Sequence, residues 1–301
     1  MFKKNVDFGF DINWDRLPDS DHFKKAMTFV NANLQDHHRK DLYVINGLPF
    51  YFDPSDKTIG ITFSGGADST MIFYMLCRLI ESLGANTKIV AATVIRGWDV
   101  KPWLEDITAD IISYLDKRFP NIQKEQVFGF LPPAFEVTPL KNIVGAEGMF
   151  SKDIVDTAYA DIYCVMSYTK YINAKYKIER TYSGITMNPE LDHPELNSPS
   201  FRDTREFNEQ DLSSFQGPGP NMRPFEMLYK NWVMAQYENF NIQELRELTR
   251  SCNTALIELN IPNVENVKIL GSEYACQTCF FCEERRWGHD NRHLYLEDYH
   301  K

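Results

Sequence analysis

A short run of strand-forming residues leads directly into two glycines and then a helix in TIGITF-SGGADST, Thr58 to Thr70, and no other stretch restricts the fold of this chain so tightly. A buried strand over 58–63 has to stop where Ser64-Gly65-Gly66 turns the backbone. Asp68 to Leu83 then reads as a helix that is apolar over most of its surface and must therefore be covered. Two glycines let the backbone pass close to an anion, and Ser64, Ser69 and Thr70 add hydroxyls. The N–H groups and dipole at a helix start attract negative charge. A polyphosphate is the ligand that Ser64, Gly65, Gly66, Ala67, Asp68, Ser69 and Thr70 imply. The segment has neither the Lys before Ser/Thr of a Walker loop nor the GxGxxG spacing of dinucleotide folds. The alternative is a Gly-Gly turn with ordinary helix capping by Asp68 or Ser69.

Downstream, strand and helix patterns alternate. KIVAATVI at 88–95 is a second strand, and Trp103 to Leu115 places Leu104, Ile107, Ile111 and Leu115 on one helical stripe. QVFGF at 126–130 is a third strand, Asp153 to about Ile172 a long helix, and TYSGITM at 181–187 a fourth strand. This order predicts an α/β fold, a parallel sheet with helices on both faces. Residues 1–57 form a small α+β extension with a helix near Asp21 to Leu34 and a hairpin at Leu42 to Phe52 turning on Asn46-Gly47. The edge of that hairpin could pair across a homodimer. Residues 58–240 are expected to be the nucleotide-binding domain and 241–301 a C-terminal metal-binding segment. Pro189 to Pro224 reads as a long loop, after which helical periodicity returns at Phe225, Leu228, Trp232 and Ala235, then at Ile242, Leu245 and Leu248.

Composition narrows the function classes. The chain has 301 residues, 43% of them hydrophobic, which suffices for a sizeable core. With 32 basic against 42 acidic side chains and a net charge of −10, it is a poor candidate for gripping nucleic acid mainly by phosphate neutralisation. The longest apolar run, Met71 to Cys77, ends at Arg78 and falls well short of the roughly 20 residues that span a bilayer. The N-terminal MFKKNVDFGF lacks the apolar core of a secretory signal, so a cytoplasmic protein is expected.

Six cysteines are present, and Cys276, Cys279 and Cys282 form a C-x2-C-x2-C run whose spacing lets thiolates converge on one ion. Cys252 is the natural fourth ligand, because Cys77 and Cys164 lie within apolar helical patterns. A closed four-cysteine Zn2+ site would pin the C-terminal segment. An iron–sulfur cluster uses the same thiolates, and buried unliganded cysteines are the plainest alternative.

The complete match at Ser64, Gly65, Gly66, Asp68 and Ser69 resembles the loop of the N-type ATP pyrophosphatases, which split ATP into AMP and pyrophosphate while activating a carbonyl oxygen. Taken with Cys252 and the cysteine run, it resembles the 7-cyano-7-deazaguanine synthase family over most of 58–287. The resemblance implies an adenine nucleotide alpha hydrolase-like fold, ATP held by residues 64–70 with Mg2+ bridging the phosphates, and Zn2+ on Cys252, Cys276, Cys279 and Cys282. FRDTREF at 201–207 is similar to a loop of that family, with Thr204 where the family has Cys. By the same resemblance Asp203, Arg205 and Lys230 lie near the reacting groups, with Asp68, Lys230 and Arg205 as catalytic residues. For Arg205 and Lys230 the alternative is solvated surface charge. Arg96-Gly97-Trp98-Asp99 replaces the family's Gln-Arg-His, and Trp98 or Trp103 could stack on a heterocyclic substrate or simply pack.

The implied reaction converts a small-molecule carboxylate of the 7-carboxy-7-deazaguanine type, with ammonia, to an amide and then a nitrile. Two alternatives remain: tRNA thiolation or lysidine-like modification by the same adenylation, and a non-catalytic nucleotide-binding module that uses the fold to bind a partner. Metal analysis of aerobically purified protein separates the readings of the cysteines. Stoichiometric zinc is expected, whereas brown colour with iron and acid-labile sulfide would mark a cluster.

Overall fold

A computed structural model describes residues 5–6, 42–45, 48–96, 103–131, 168–186, 221–225, 228–252, 275, 277 and 279–296. The expected helix at Asp21 to Leu34 lies outside these residues, as do the Asn46-Gly47 turn and most of the long helix from Asp153.

The central strand is β4 (Thr58–Thr62), whose Ile59 and Ile61 are fully buried. It pairs in parallel with β5 (Lys88–Arg96) on one side and with β7 (Arg180–Ser183) on the other. Beyond β5 lies β6 (Lys124–Leu131), and beyond β7 the two-residue β8 (Asn221–Met222), so five parallel strands run in the order β6-β5-β4-β7-β8. The short β8 falls within the stretch expected to be loop. Two residues carry no periodicity, and only pairing with β7 defines them.

Side chains alternate across a strand, and β5 shows that both faces are covered. Ile89 and Ala91 join a large core with helices α1 (Ala67–Leu83) and α2 (Leu104–Arg118). Val90 and Ala92 instead join a second cluster with Ile172 and Tyr168 of α3, residues 168–176. Gly129 of β6 belongs to this second face, and a Cβ there would overlap the Tyr168 ring. The predicted stripe on α2 is buried as expected, at Leu104, Ile107, Ile111 and Leu115.

The N-terminal hairpin forms as β2 (Leu42–Ile45) and β3 (Leu48–Tyr51), antiparallel with Ile45 opposite Leu48, and β1 (Asn5–Val6) adds to β2 in parallel. Phe50 and Phe52 enter the large core, where Phe50 stacks on Tyr182 of β7 at 5.6 Å between ring centroids.

Helix α4 (Lys230–Asn239) starts later than the apolar spacing from Phe225 suggests. Phe225 and Leu228 close a turn ahead of it, with Leu228 N–H donating to the Phe225 carbonyl. Eight of its residues, Lys230 to Tyr237, are buried, because α4 packs between α1 and the C-terminal helix α6 (Phe280–Asp290). Helix α5 (Gln243–Leu248) and a 3-10 turn at Arg292–Tyr295 complete the described chain. Among the described residues, no helix is long and apolar enough to cross a membrane.

Strand β7 stops at Ser183, short of the expected 187, because Gly184 presses its backbone against the start of α1. A Cβ on Gly184 would stand 2.6 Å from the Asp68 carbonyl carbon and 2.7 Å from Ser69 Cα. Gly84, at the C-terminus of α1, has φ +60, and a Cβ on it would meet nothing within 4 Å. The pair separates backbone preference from steric overlap. Gly84→Ala is expected to cost about 1 kcal/mol, and Gly184→Ala to approach the upper end of the about 1–3 kcal/mol typical of overpacking. Urea denaturation of the two variants measures the difference, and equal losses would show that the approach at Gly184 is slack.

Candidate functional site

The strand order places a topological switch point between β4 and β7, where connections leave toward opposite sides of the sheet. In open parallel sheets ligands settle in the crevice at the carboxyl ends of such strands. Both strands end here at the same place: β4 runs into Ser64-Gly65-Gly66, and β7 into Gly184.

The approach to the turn is rigid. Phe63 N–H donates to the Ala92 carbonyl (2.8 Å), and Thr93 Oγ1 donates to the Phe63 carbonyl (2.9 Å). Gly65 then takes φ +65, a conformation costly for other residues, and its α-carbon faces α2 so closely that a Cβ would lie 3.0 Å from Ile107 Cγ2. Gly66 precedes α1 in extended conformation, and no side chain caps the helix. Neither Asp68 nor Ser69 therefore acts as the ordinary cap. Ser69 Oγ donates to the Gly66 carbonyl (3.2 Å) and lies 3.3 Å from Ser64 Oγ, tying the two ends of the turn together. Ser64 is exposed, whereas Thr70 is fully buried and its hydroxyl has no hydrogen-bond partner among the described residues.

The C-terminal part of the chain closes over this turn. Arg250 N–H donates to the Gly65 carbonyl (2.9 Å), and the Tyr237 hydroxyl donates to the Ala67 carbonyl (2.7 Å) from a buried position that raises its pKa well above the phenol range. Lys230 is not a solvated surface charge. At 3% exposure it opens α4 with its ammonium on Asp68 Oδ2, and Glu284 Oε2 of α6 lies 3.7 Å away. Room for its stem comes from Gly288, where a Cβ would stand 2.6 Å from Lys230 Cγ. Trp103 is also unavailable for stacking on a substrate, since it is buried and the Arg250 guanidinium lies 3.4 Å from its ring centroid.

One residue beyond Ser251 comes Cys252, whose sulfur lies with those of Cys279 and Cys282 within 4.8 Å of one another. Cys252 and Cys282 are buried and Cys279 is half-buried at the start of α6, where a helix N-terminus favours thiolate. Hydrogen bonding of the Cys282 thiol to the Cys252 and Cys279 sulfurs, then burial, holds the Cys282 proton far more tightly than usual, so these thiols cannot all ionise without a cation among them. This donor set fits a thiophilic metal. Gln277, at φ +65, turns the chain within the cysteine run. Beside Cys282 opens a cleft of about 370 Å3 with Arg246, Arg285, Arg286 and His289 in its wall. Arg246 is paired with Glu238 and Glu247, and Arg285 donates to Thr249 Oγ1 and the Arg246 carbonyl.

Trp98, Asp203, Arg205 and Cys276 lie outside the described residues, as does Cys164. The sequence reading overlooked Gly184, Ser251, Glu284 and Gly288. A glycine at the end of a strand beside the switch point and one inside a helical pattern are both recognisable signals of close backbone approach. Glu284 carried none.

No protein-family model and no curated protein sequence matches this chain. Among solved structures it is similar to the U34-tRNA thiolase NcsA from Methanococcus maripaludis with its 4Fe-4S cluster, at 15% identity and TM-score 0.37, covering 75% of this chain and 64% of the thiolase. The chain thus spans less than two thirds of that protein's length. It is also similar to a 4-thiouridine synthetase in complex with RNA and ATP, at 13% identity and TM-score 0.38, covering 69% of this chain and 50% of the other. A third is the NAD+ synthetase from Burkholderia pseudomallei, at 14% identity and TM-score 0.32, covering 73% and 66%. With TM-scores below 0.5, these likenesses are distant, and the chemistry of the site is read from its own residues.

Removing the Lys230 ammonium would take away the cation that lies against both the Asp68 and the Glu284 carboxylates. Lys230→Ala is expected to lose about 3–5 kcal/mol of stability, as for other broken buried pairs, and the double variant Lys230→Met with Glu284→Gln to recover part of it. Denaturant titration measures both. An undiminished midpoint for Lys230→Ala would show that the ammonium is not held as described.

Proposed function

We propose that this chain is an ATP-dependent enzyme of the ATP pyrophosphatase type, with an adenine nucleotide alpha hydrolase-like fold, that adenylates a carbonyl oxygen of its substrate. The observation that carries the reading is the start of α1. It follows a positive-φ glycine at the switch point of a parallel sheet, no side chain caps it, and hydroxyls of Ser64 and Ser69 stand beside it. Backbone N–H groups there suit the pyrophosphate that leaves, and the site lies where strands β4 and β7 open.

The finer reading follows the resemblance to 7-cyano-7-deazaguanine synthases. A carboxylate oxygen of a 7-carboxy-7-deazaguanine-like substrate attacks the α-phosphorus of ATP and pyrophosphate departs. Ammonia then adds to the acyl carbon and expels AMP, giving the amide. In a second cycle the amide oxygen is adenylated, and loss of AMP and two protons leaves the nitrile. Residues 64–70 hold the phosphates, and Lys230 offers a buried ammonium at the same turn. Arg205, Asp203 and Trp98 are proposed for the acceptor. Mg2+ accompanying ATP supplies countercharge, and Asp68 offers a carboxylate at the loop. Cys252, Cys276, Cys279 and Cys282 are proposed to hold Zn2+ as a structural centre. The domain boundaries at 57 and 240, the cytoplasmic setting and a homodimer are proposed on the same footing as in the sequence.

One observation favours a second reading, adenylation of an RNA base. The cleft beside Cys282 carries arginines in its wall, and Arg286 there is exposed. Such a wall suits phosphodiesters despite the acidic balance of the chain.

Incubation with ATP, Mg2+, ammonium and 7-carboxy-7-deazaguanine is expected to release AMP and pyrophosphate, and Lys230→Met to lower the rate by about 100-fold. AMP formed only when RNA is added would shift the acceptor to the second reading. Failure of the chain to bind any nucleotide in calorimetry would end the adenylation reading altogether.

A further inference from the structure

The cysteine centre is joined to the nucleotide loop by two routes that share no residue. The first runs along the backbone from Cys252. Its neighbour Ser251 has a buried hydroxyl that bonds to nothing among the described residues, and this oxygen lies 3.7 Å from where a Cβ on Gly66 would be. The next residue, Arg250, donates its N–H to the Gly65 carbonyl (2.9 Å). The second route runs along α6. Two residues after Cys282, the buried Glu284 carboxylate stands 3.7 Å from Lys230 Nζ, and Lys230 is paired with Asp68. Gly288, one turn further, lets α6 and the Lys230 stem meet.

The two routes reach opposite ends of one short turn, Gly65-Gly66 and Asp68. A change in spacing at the sulfurs must therefore alter either the turn or the packing between them, because close-packed interiors transmit displacement. A zinc site that only pinned a tail would touch the loop at one place or none. The unsatisfied Ser251 hydroxyl beside Gly66 adds to this, since a buried group without a partner is costly unless a ligand-bound state uses it.

We infer that the cysteine centre and the nucleotide loop form one thermodynamic unit, with Ser251 and Glu284 as the positioning residues that couple metal occupancy to nucleotide affinity. The inference rests on reading the loop as the nucleotide site and the cysteines as metal ligands. Linkage requires the effect to be mutual: metal tightens nucleotide, and nucleotide tightens metal by the same factor.

The test uses the full chain loaded with Zn2+ and follows zinc release to the chromogenic chelator 4-(2-pyridylazo)resorcinol, with and without Mg2+ and a non-hydrolysable ATP analogue. Nucleotide is expected to slow release at least about fivefold, the lower bound of ordinary coupling. Glu284→Gln should retain one zinc per chain while the protection falls below about twofold, and Ser251→Ala should weaken it in the same direction. Ser251→Ala removes a hydroxyl that bonds to no described residue, so it carries the test even if Glu284→Gln does not fold. Calorimetric nucleotide binding by the wild type with unchanged zinc release would overturn the inference and leave the function standing. Full protection in both variants would overturn the roles given to the two residues. Absence of nucleotide binding in the zinc-loaded wild type would remove the function and the inference together.

Discussion

A single ammonium group holds the site in shape. Lys230 Nζ sits almost out of reach of water between a carboxylate at the start of the loop helix and another on the C-terminal helix, so three helices converge on one charge. Burying charge is costly unless partners surround it, and one cation between two anions is favourable only while the geometry is kept. The arrangement therefore constrains all three helices at once.

Around that charge, close contacts are made by residues that lack side chains. Gly65 admits α2, Gly184 admits the start of α1, and Gly288 admits the Lys230 stem. Gly184 brings backbone to backbone and Gly288 backbone to a charged stem, approaches that a Cβ would obstruct, whereas at Gly65 it is the positive φ that calls for glycine, beside side chains of α2. The turn is thus defined on three sides by where glycine falls.

Much of the fold was legible because its signals are local. Buried parallel strands read as continuous apolar runs, and Ile59, Ile61, Ile89 and Ala91 lie in the core as their pattern implies. The stripe on α2 shows the same legibility for an amphipathic helix. Two-residue β8 was not legible, because its strand character comes only from pairing with β7. The site divides in the same way. Ser64 to Thr70 declare themselves by spacing, and Cys252, Cys279 and Cys282 converge as expected. Lys230 allows two readings in the sequence, of which its burial removes the solvated one, and Glu284 gives no sign, since a Glu in a charged helical stretch looks like any solvated residue. What separated the legible from the illegible was sequence distance: Lys230 and Asp68 are 162 residues apart.

That distance has a consequence for how the molecule comes into being. A ribosome delivers Gly65 and Asp68 long before it delivers their partners Arg250, Lys230 and Glu284. The strand and helix around the turn can form early from neighbouring residues, but the pocket itself waits for chain ends to meet across most of the polypeptide, a slow class of event. A nascent or C-terminally clipped chain would carry the recognisable signature and still lack the enclosure that gives it purpose.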